Sequence, residues 1–137
     1  MSGSINTVLA FLPQTNKAEM SQITFTVLGD PVPYTTMTYR SKWTARARKA
    51  IKYQENVRMC ALSATQRIPK PKKSTPVLIH TRCYFRNGRH GDTLNVNKIC
   101  QDALWPHKAG GDKYTGGSYD PPMYDPDNPR VEITIRF

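Results

Sequence analysis

The sequence predicts a small α/β domain in which a mixed β-sheet packs against two main helices. Three segments, near positions 23, 77 and 131, alternate apolar and polar residues, as half-buried strands do. Between them lie two segments whose apolar residues recur every three or four positions, the spacing of one helix face. The resulting order, β-α-β-α-(β)-β, is typical of a sheet covered by helices.

The first strand and the long helix occupy the first half of the predicted domain. Alternation over residues 23–27 predicts the strand, and the prolines of the run at 29–33 end it because proline cannot donate to a strand ladder. The helix is predicted from Ser41, a suitable N-cap, to about Gln66. Its apolar stripe consists of Trp43, Ala47, Ala50, Ile51, Val57, Ala61 and Ala64.

The second half begins with a strand over residues 76–85, followed by a polar loop and a short helix over 94–104. Residues 106–129 are rich in glycine, proline and aspartate, which predicts irregular structure with one short strand near 113–119. A last strand is predicted over 131–137. The inner face of the short helix consists of Val96, Ile99, Cys100, Ala103 and Leu104.

Length and composition indicate one domain in a reducing compartment. The 137 residues suffice for one core, which we place at 20–137, after an N-terminal extension at 1–19 that lacks periodicity. No apolar run approaches the roughly 20 residues that cross a bilayer, and the run at 8–12 is too short for a signal peptide. The three cysteines are widely spaced and odd in number, as expected of free thiols. We therefore expect a cytoplasmic protein without a membrane partner.

The net charge of +10 is unevenly distributed along the chain. Residues 1–90 carry 15 Lys and Arg against 3 Asp and Glu, whereas residues 91–137 carry 5 against 7. A metal-dependent nuclease needs this combination, because cations hold the phosphate backbone and carboxylates hold the catalytic ion. The alternative is a basic, well-solvated protein that binds nucleic acid only loosely.

One segment carries the residue types for phosphodiester chemistry. Asp92 stands where a loop enters the short helix, so its carboxylate is able to cap the helix and also to face a cleft. Asn95, Lys98 and Asp102 follow at steps of three and four and share one helix face. Carboxylates bind Mg²⁺, and a lysine stabilises charge that develops on phosphate. The alternative is an ordinary N-cap followed by a solvated helix face.

This segment resembles the signature of the RusA family of Holliday-junction resolvases, which reads Asp-x-Asp-Asn-(two residues)-Lys and, after three more residues, Asp-Ala-Leu. The family's later acidic site falls at Asp112. A Gly-x-Pro-x-Pro run at 29–33 and a final strand at 129–135 match in the same order, so the resemblance spans about 20–137. The matching signature residues are Asp92, Asn95, Lys98, Asp102, Ala103 and Leu104.

The resemblance implies a RusA-like fold and a homodimer, of phage or prophage origin, that nicks four-way junctions with Mg²⁺ or Mn²⁺ for DNA recombination and repair. It implies that Asp92 and Asp112 bind the metal and that Lys98 assists. Leu94 stands where the family has its second aspartate, and leucine cannot bind a cation. The amide oxygen of Asn95 or Asn97 is then a further candidate ligand. The alternative is an inactive junction-binding protein of the same fold.

The DNA-binding surface is predicted from charge, with a solubilising face as the alternative. Tyr34 and Tyr39, which lie beside the basic cluster around the start of the long helix, are further candidates for contact with DNA, whereas Trp43 and Trp105 suit the core. Asp120 is a weaker spare ligand, and residues 125–128, which imitate part of the signature, are predicted to form a turn because a proline and a strand follow. The predicted DNA-binding residues are Arg40, Lys42, Arg46, Arg48, Lys49, Lys52, Lys70, Lys72, Lys73, Arg86 and Arg89.

Overall fold

A computed structural model of the protein describes residues 21–34, 44–106 and 113–137. The elements are β1 (Gln22–Leu28), α1 (Ala45–Ala64), β2 (Val77–Phe85), α2 (Thr93–Leu104), β3 (Thr115–Tyr119), β4 (Met123–Tyr124) and β5 (Arg130–Arg136). They confirm a small α/β protein with two helices and a mixed sheet. The predictions for the extension at 1–19 and for Tyr39, Arg40, Lys42, Trp43 and Asp112 lie outside the described residues.

The sheet has five strands, of which four follow the order β1-β5-β2-β3. The fifth, β4, pairs with the last two residues of β2, on the same edge as β3. Strand β5 is antiparallel to both β1 and β2, whereas β3 and β4 run parallel to β2. The register sets Ile133 of β5 beside Phe25 on one side and Thr81 on the other. The mixed sheet is therefore confirmed, and β4, only two residues long, is the strand that periodicity did not predict.

Helix α1 begins later than predicted. It starts at Ala45 and is capped by Thr44, whose side chain accepts a hydrogen bond of 3.2 Å from the Ala47 backbone N–H. The predicted N-cap at Ser41, itself outside the described residues, is therefore wrong. Ile51 and Ala64 were assigned to the apolar stripe, but Ile51 is 39% exposed and Ala64 is exposed at the last residue of the helix, so neither belongs to the face that reaches the core. The buried residues of α1 are Ala47, Ala50, Tyr53, Val57 and Ala61.

Helix α2 buries all five residues predicted for its inner face, and it also buries Asn97. The Asn97 amide nitrogen donates to Thr81 Oγ1 at 2.9 Å and to the Ser118 carbonyl at 2.8 Å. Its amide oxygen accepts from Gln101 Nε2 at 2.6 Å. A side chain on Gly117 would collide with Asn97 and Gln101. This buried polar contact fixes the position of α2 on β2 and β3.

The core lies between the helices and one face of the sheet. Trp105 is 5% exposed and its indole N–H donates to the Pro69 carbonyl at 2.7 Å, so its assignment to the core is confirmed. The turn predicted at 125–128 is also present, closed by a 3.1 Å bond from the Asn128 N–H to the Asp125 carbonyl. Neither described helix has the apolar length that a bilayer crossing requires.

Candidate functional site

A cleft of about 570 Å³ opens between the β1–α1 loop, the first turns of α1 and the start of α2. We call it the Asp92 cleft. It contains two predicted active-site residues, Asp92 and Asn95, together with two predicted DNA-binding cations, Arg46 and Lys49. Residues that are far apart in the sequence and were chosen for different reasons therefore share one surface. The lining residues are Val32, Pro33, Tyr34, Arg46, Lys49, Gly91, Asp92 and Asn95.

Asp92 occupies the N-cap position of α2 with extended backbone, φ −70° and ψ 141°. Its carbonyl accepts the first helical hydrogen bond, 3.1 Å from the Val96 N–H. Its side chain makes no capping hydrogen bond, so the carboxylate does not cap the helix as the sequence had suggested. The exposed carboxylate is instead part of the cleft wall, at the positive end of the α2 dipole.

The backbone before Asp92 is held by aromatic and proline contacts. The His90 ring stacks on Phe85 with a centroid distance of 3.8 Å. Its Nδ1 lies 2.8 Å from the Gly91 carbonyl and its Nε2 lies 2.8 Å from the Tyr124 hydroxyl. Because a carbonyl only accepts, Nδ1 carries a hydrogen. A side chain on Gly91 would approach Pro33 to 2.7 Å, so this loop packs directly against the β1–α1 loop.

Lys98 lies beside the Asp92 cleft rather than in its lining. Its ammonium group sits 4.3 Å from the centre of the Tyr34 ring, and Tyr34 lines the cleft. The Tyr34 backbone N–H donates to the Asn95 carbonyl at 2.9 Å, which ties the β1–α1 loop to the first turn of α2. The cation–π contact therefore holds the lysine against Tyr34, one of the residues that line the cleft.

The remaining predicted cations fall into three regions. Arg86 and Arg89 are exposed on the loop between β2 and Asp92, and the Arg86 N–H is anchored to Asp30 Oδ1 at 2.9 Å. Arg48 and Lys52 are exposed on α1, outside the cleft lining. The linker cations precede β2, whereas the loop with Arg86 and Arg89 follows it, and the two ends of this nine-residue strand are about 26 Å apart at the ordinary rise of a strand. These linker cations are Lys70, Lys72 and Lys73.

The second predicted carboxylate, Asp112, lies outside the described residues. The described chain resumes at Lys113, and the Tyr114 carbonyl accepts a bond of 3.0 Å from the Val77 N–H. Val77 begins β2, whereas Asp92 follows its end. The start of β3 therefore lies at one end of β2 and the Asp92 cleft at the other. Among the described residues, Asp92 is the predicted metal-binding carboxylate on which the site depends.

A divalent ion fits this cleft only as a water-rich site. Asp92 and Asn95 offer a carboxylate and an amide oxygen, and Mg²⁺ commonly keeps several waters beside one or two protein ligands. Asn97 is not available, because it is 1% exposed and its amide oxygen already accepts from Gln101. Leu94 is 55% exposed and offers no ligand. Among the described residues no group of three histidine, cysteine or acidic side chains could hold a metal.

Asp120, the spare ligand candidate, belongs to a network on the other face of the sheet. Its carboxylate accepts from Arg82 Nε at 2.8 Å and lies 3.1 Å from His80 Nε2. The opposite ring nitrogen of His80 is 2.7 Å from Ser118 Oγ. The hydrogen bond from Arg82 lowers the pKa of Asp120. Asp120 is thus bound to protein cations and does not line the Asp92 cleft.

The functional contacts of His90 and Tyr124 were not predicted from the sequence. The available signal was the position of His90, two residues before the proposed catalytic aspartate.

The chain matches no protein-family model, and no curated protein is similar enough to count as a match. The resemblance to the RusA family therefore stays a prediction.

Proposed function

We propose that the protein is a divalent-metal-dependent endodeoxyribonuclease that nicks branched DNA, such as Holliday junctions, as a homodimer. One observation carries the proposal: the exposed carboxylate of Asp92 shares a cleft with Arg46 and Lys49. An acidic group and phosphate-binding groups in one cleft suit hydrolysis of a phosphodiester.

The charged and amide side chains of the cleft, together with Lys98 beside it, have distinct tasks in this reaction. Arg46 and Lys49 bind the phosphates on either side of the reacting one and orient the strand. Asp92 and Asn95 would hold Mg²⁺ or Mn²⁺, which when bound would supply positive charge for the reacting phosphate and lower the pKa of the attacking water. Lys98 stabilises the negative charge on the oxygen that leaves. Water adds to phosphorus as the bond to that oxygen breaks.

A protein that binds junctions without cutting them is the second candidate. Leu94 favours it, because this residue replaces the family aspartate and lies exposed at the start of α2. The variant Leu94→Asp separates the two functions. A large gain in cleavage without tighter DNA binding would identify the natural protein as a binder with a disabled site.

The main test is a nicking assay on a synthetic four-way junction with Mg²⁺ or Mn²⁺. We expect Asp92→Asn to lower the cleavage rate by about 100-fold or more, since a ligand charge is lost. Asp127→Asn is the matched control, because Asp127 is an exposed acid in the turn before β5 and should leave the rate unchanged. Metal-free binding of the junction should be similar in all three proteins.

Asp112→Asn belongs in the same assay. A loss equal to that of Asp92→Asn would support a site with two carboxylates, and an unchanged rate would support Asp92 as the one essential acid. Cleavage that survives Asp92→Asn would refute the site. Equal affinity for junction and linear duplex, together with no cleavage, would instead indicate a structural nucleic-acid binder.

A further inference from the structure

A second groove runs along α1 and joins the Asp92 cleft. Its volume is about 810 Å³, and it shares Val32 and Lys49 with the cleft. We call it the α1 groove. The cleft and the groove therefore adjoin at Val32 and Lys49. The groove lining is Val32, Lys49, Lys52, Tyr53, Glu55, Asn56, Arg58, Met59 and Leu62.

The floor of the α1 groove is apolar and exposed. Met59 is 66% exposed and Leu62 is 46% exposed, on a helix whose opposite side is buried in the core. Val32 extends the same surface towards the cleft. Adjacent large apolar side chains in a concave surface commonly mark a binding site, since their contact with water is unfavourable. An occupant of this floor has to offer flat or apolar groups.

The rim of the groove is cationic. Lys49, Lys52 and Arg58 line it, with Glu55 as its one acid. Arg58 is held in place by a hydrogen bond of 3.3 Å to the Ala103 carbonyl of α2. The excess of positive charge suits a polyanion. The occupant therefore combines negative charges along its length with apolar faces between them.

An unpaired DNA strand has this combination, and a duplex does not. A duplex displays phosphates and keeps its bases stacked inside, so it would satisfy the rim and leave the floor in contact with water. A single strand places phosphates on cations and base faces on apolar side chains at the same time. Continuity with the Asp92 cleft favours a nucleic acid over an acidic peptide.

We propose that the α1 groove binds a single-stranded arm of the substrate and directs it into the Asp92 cleft. The protein then prefers branched DNA that carries an unpaired arm, such as a flap, over a junction of four complete duplexes. The substrate preference rests on the proposed nuclease function, whereas single-strand binding by the groove does not.

The test measures binding without metal, so that it is independent of cleavage. Fluorescence anisotropy compares oligo-dT with an abasic strand of equal length and charge. We expect wild type to bind oligo-dT several-fold more tightly. The double variant Met59→Ala/Leu62→Ala should lose most of this difference, because alanine keeps the helix and removes the floor. Leu28→Ala is the matched control, since Leu28 is also 66% exposed but lies on β1.

Equal affinity of wild type for oligo-dT and the abasic strand would overturn the proposal. An unchanged preference for oligo-dT in the double variant would overturn it as well. A designed acidic amphipathic peptide tests the other occupant. Tight binding of such a peptide to wild type that the double variant loses, with DNA binding unaffected, would assign the groove to a protein partner. Failure of Asp92→Asn to reduce cleavage would bear on the nuclease function alone.

The cleavage arm compares a flap substrate with an intact four-way junction. Wild type should cut the flap faster, and the ratio of the two rates should fall several-fold in Met59→Ala/Leu62→Ala. Thermal unfolding of each variant verifies that the fold is retained. An unchanged ratio would contradict the proposed substrate preference.

Discussion

The ammonium nitrogen of Lys98 lies 4.3 Å from the centre of the Tyr34 ring. The Tyr34 backbone N–H also donates a hydrogen bond to the Asn95 carbonyl. The two contacts of Tyr34 together join the β1–α1 loop to α2 beside the Asp92 cleft. A partly exposed contact of this kind contributes about 0.5–1 kcal/mol. Its main effect is to limit where the lysine points.

Replacing Tyr34 tests this positional effect. Tyr34→Leu removes the ring face, and we expect the cleavage rate to fall several-fold with little change in junction affinity. Tyr34→Phe keeps the ring and should behave like wild type. Single-turnover rates and the NMR signal of the Lys98 side chain are the measurements. Equal losses in Tyr34→Phe and Tyr34→Leu would show that the hydroxyl, and not the ring, is needed.

Asn97 should be among the polar residues most important for stability. Asn97→Ala removes the partner of the buried Thr81 hydroxyl and of the partly buried Ser118 carbonyl and Gln101 amide. Each unsatisfied buried group is costly, so we expect the free energy of unfolding to fall by about 2–3 kcal/mol. Urea denaturation measures it. Asn56→Ala, an exposed change on α1, is the control and should alter stability by less than about 0.5 kcal/mol.

The carboxyl group of Asp120 should titrate below its ordinary range. Arg82 lowers its pKa through the 2.8 Å hydrogen bond, so Arg82→Gln should raise this pKa towards the ordinary value. NMR titration measures the pKa of Asp120 in wild type and in the variant. The pKa of Asp125 should stay low in the variant, because Arg130 lowers it independently.

The sign of the effect on stability follows from the direction of this shift. Because the pKa of Asp120 is lower in the folded state, its contribution is present above the ordinary pKa of an aspartate. It is lost as the pH falls through the lowered value. Between the lowered and the ordinary pKa, the free energy of unfolding of Arg82→Gln should therefore depend less on pH than that of wild type. The same pH dependence in both proteins would contradict the role of Arg82.

The three cysteines should differ in reactivity. Burial raises the pKa of Cys83 to about 12 and that of Cys100 further, whereas Cys60 is half-buried with a smaller upward shift of its pKa. The thiolate is the reactive form, so a disulfide reagent should modify Cys60 first. The folded chain should show one accessible thiol and the denatured chain three. Cys60→Ser should show none before unfolding.

Periodicity predicted the two helices and the longer strands because each buries one regular face. It failed where tertiary contacts decide the outcome. Strand β4 exists only because Met123 and Tyr124 pair with the end of β2, and two residues carry no period. Asn97 was considered only as a candidate metal ligand, because a polar side chain does not indicate a buried position, although it lies between Val96 and Cys100 on the inner side of α2.

The candidate site was predictable in part. The motif residues Asp92 and Asn95 do share a cleft with Arg46 and Lys49. The position of Lys98 beside the cleft depends on Tyr34, which precedes it by more than 60 residues and was considered only as a DNA contact. The sequence also contained no indication that the linker cations lie at the far end of β2, since distance along a sheet depends on strand direction.

Strand β5 has a consequence for synthesis on the ribosome. It lies between β1 and β2, which are both paired to it, yet it comes last among the described elements. A nascent chain therefore exposes both neighbouring strands until residues 130–136 leave the exit tunnel. A premature stop codon anywhere before that point would leave two unpaired edges next to a hydrophobic face, a combination that chaperones and proteases act on.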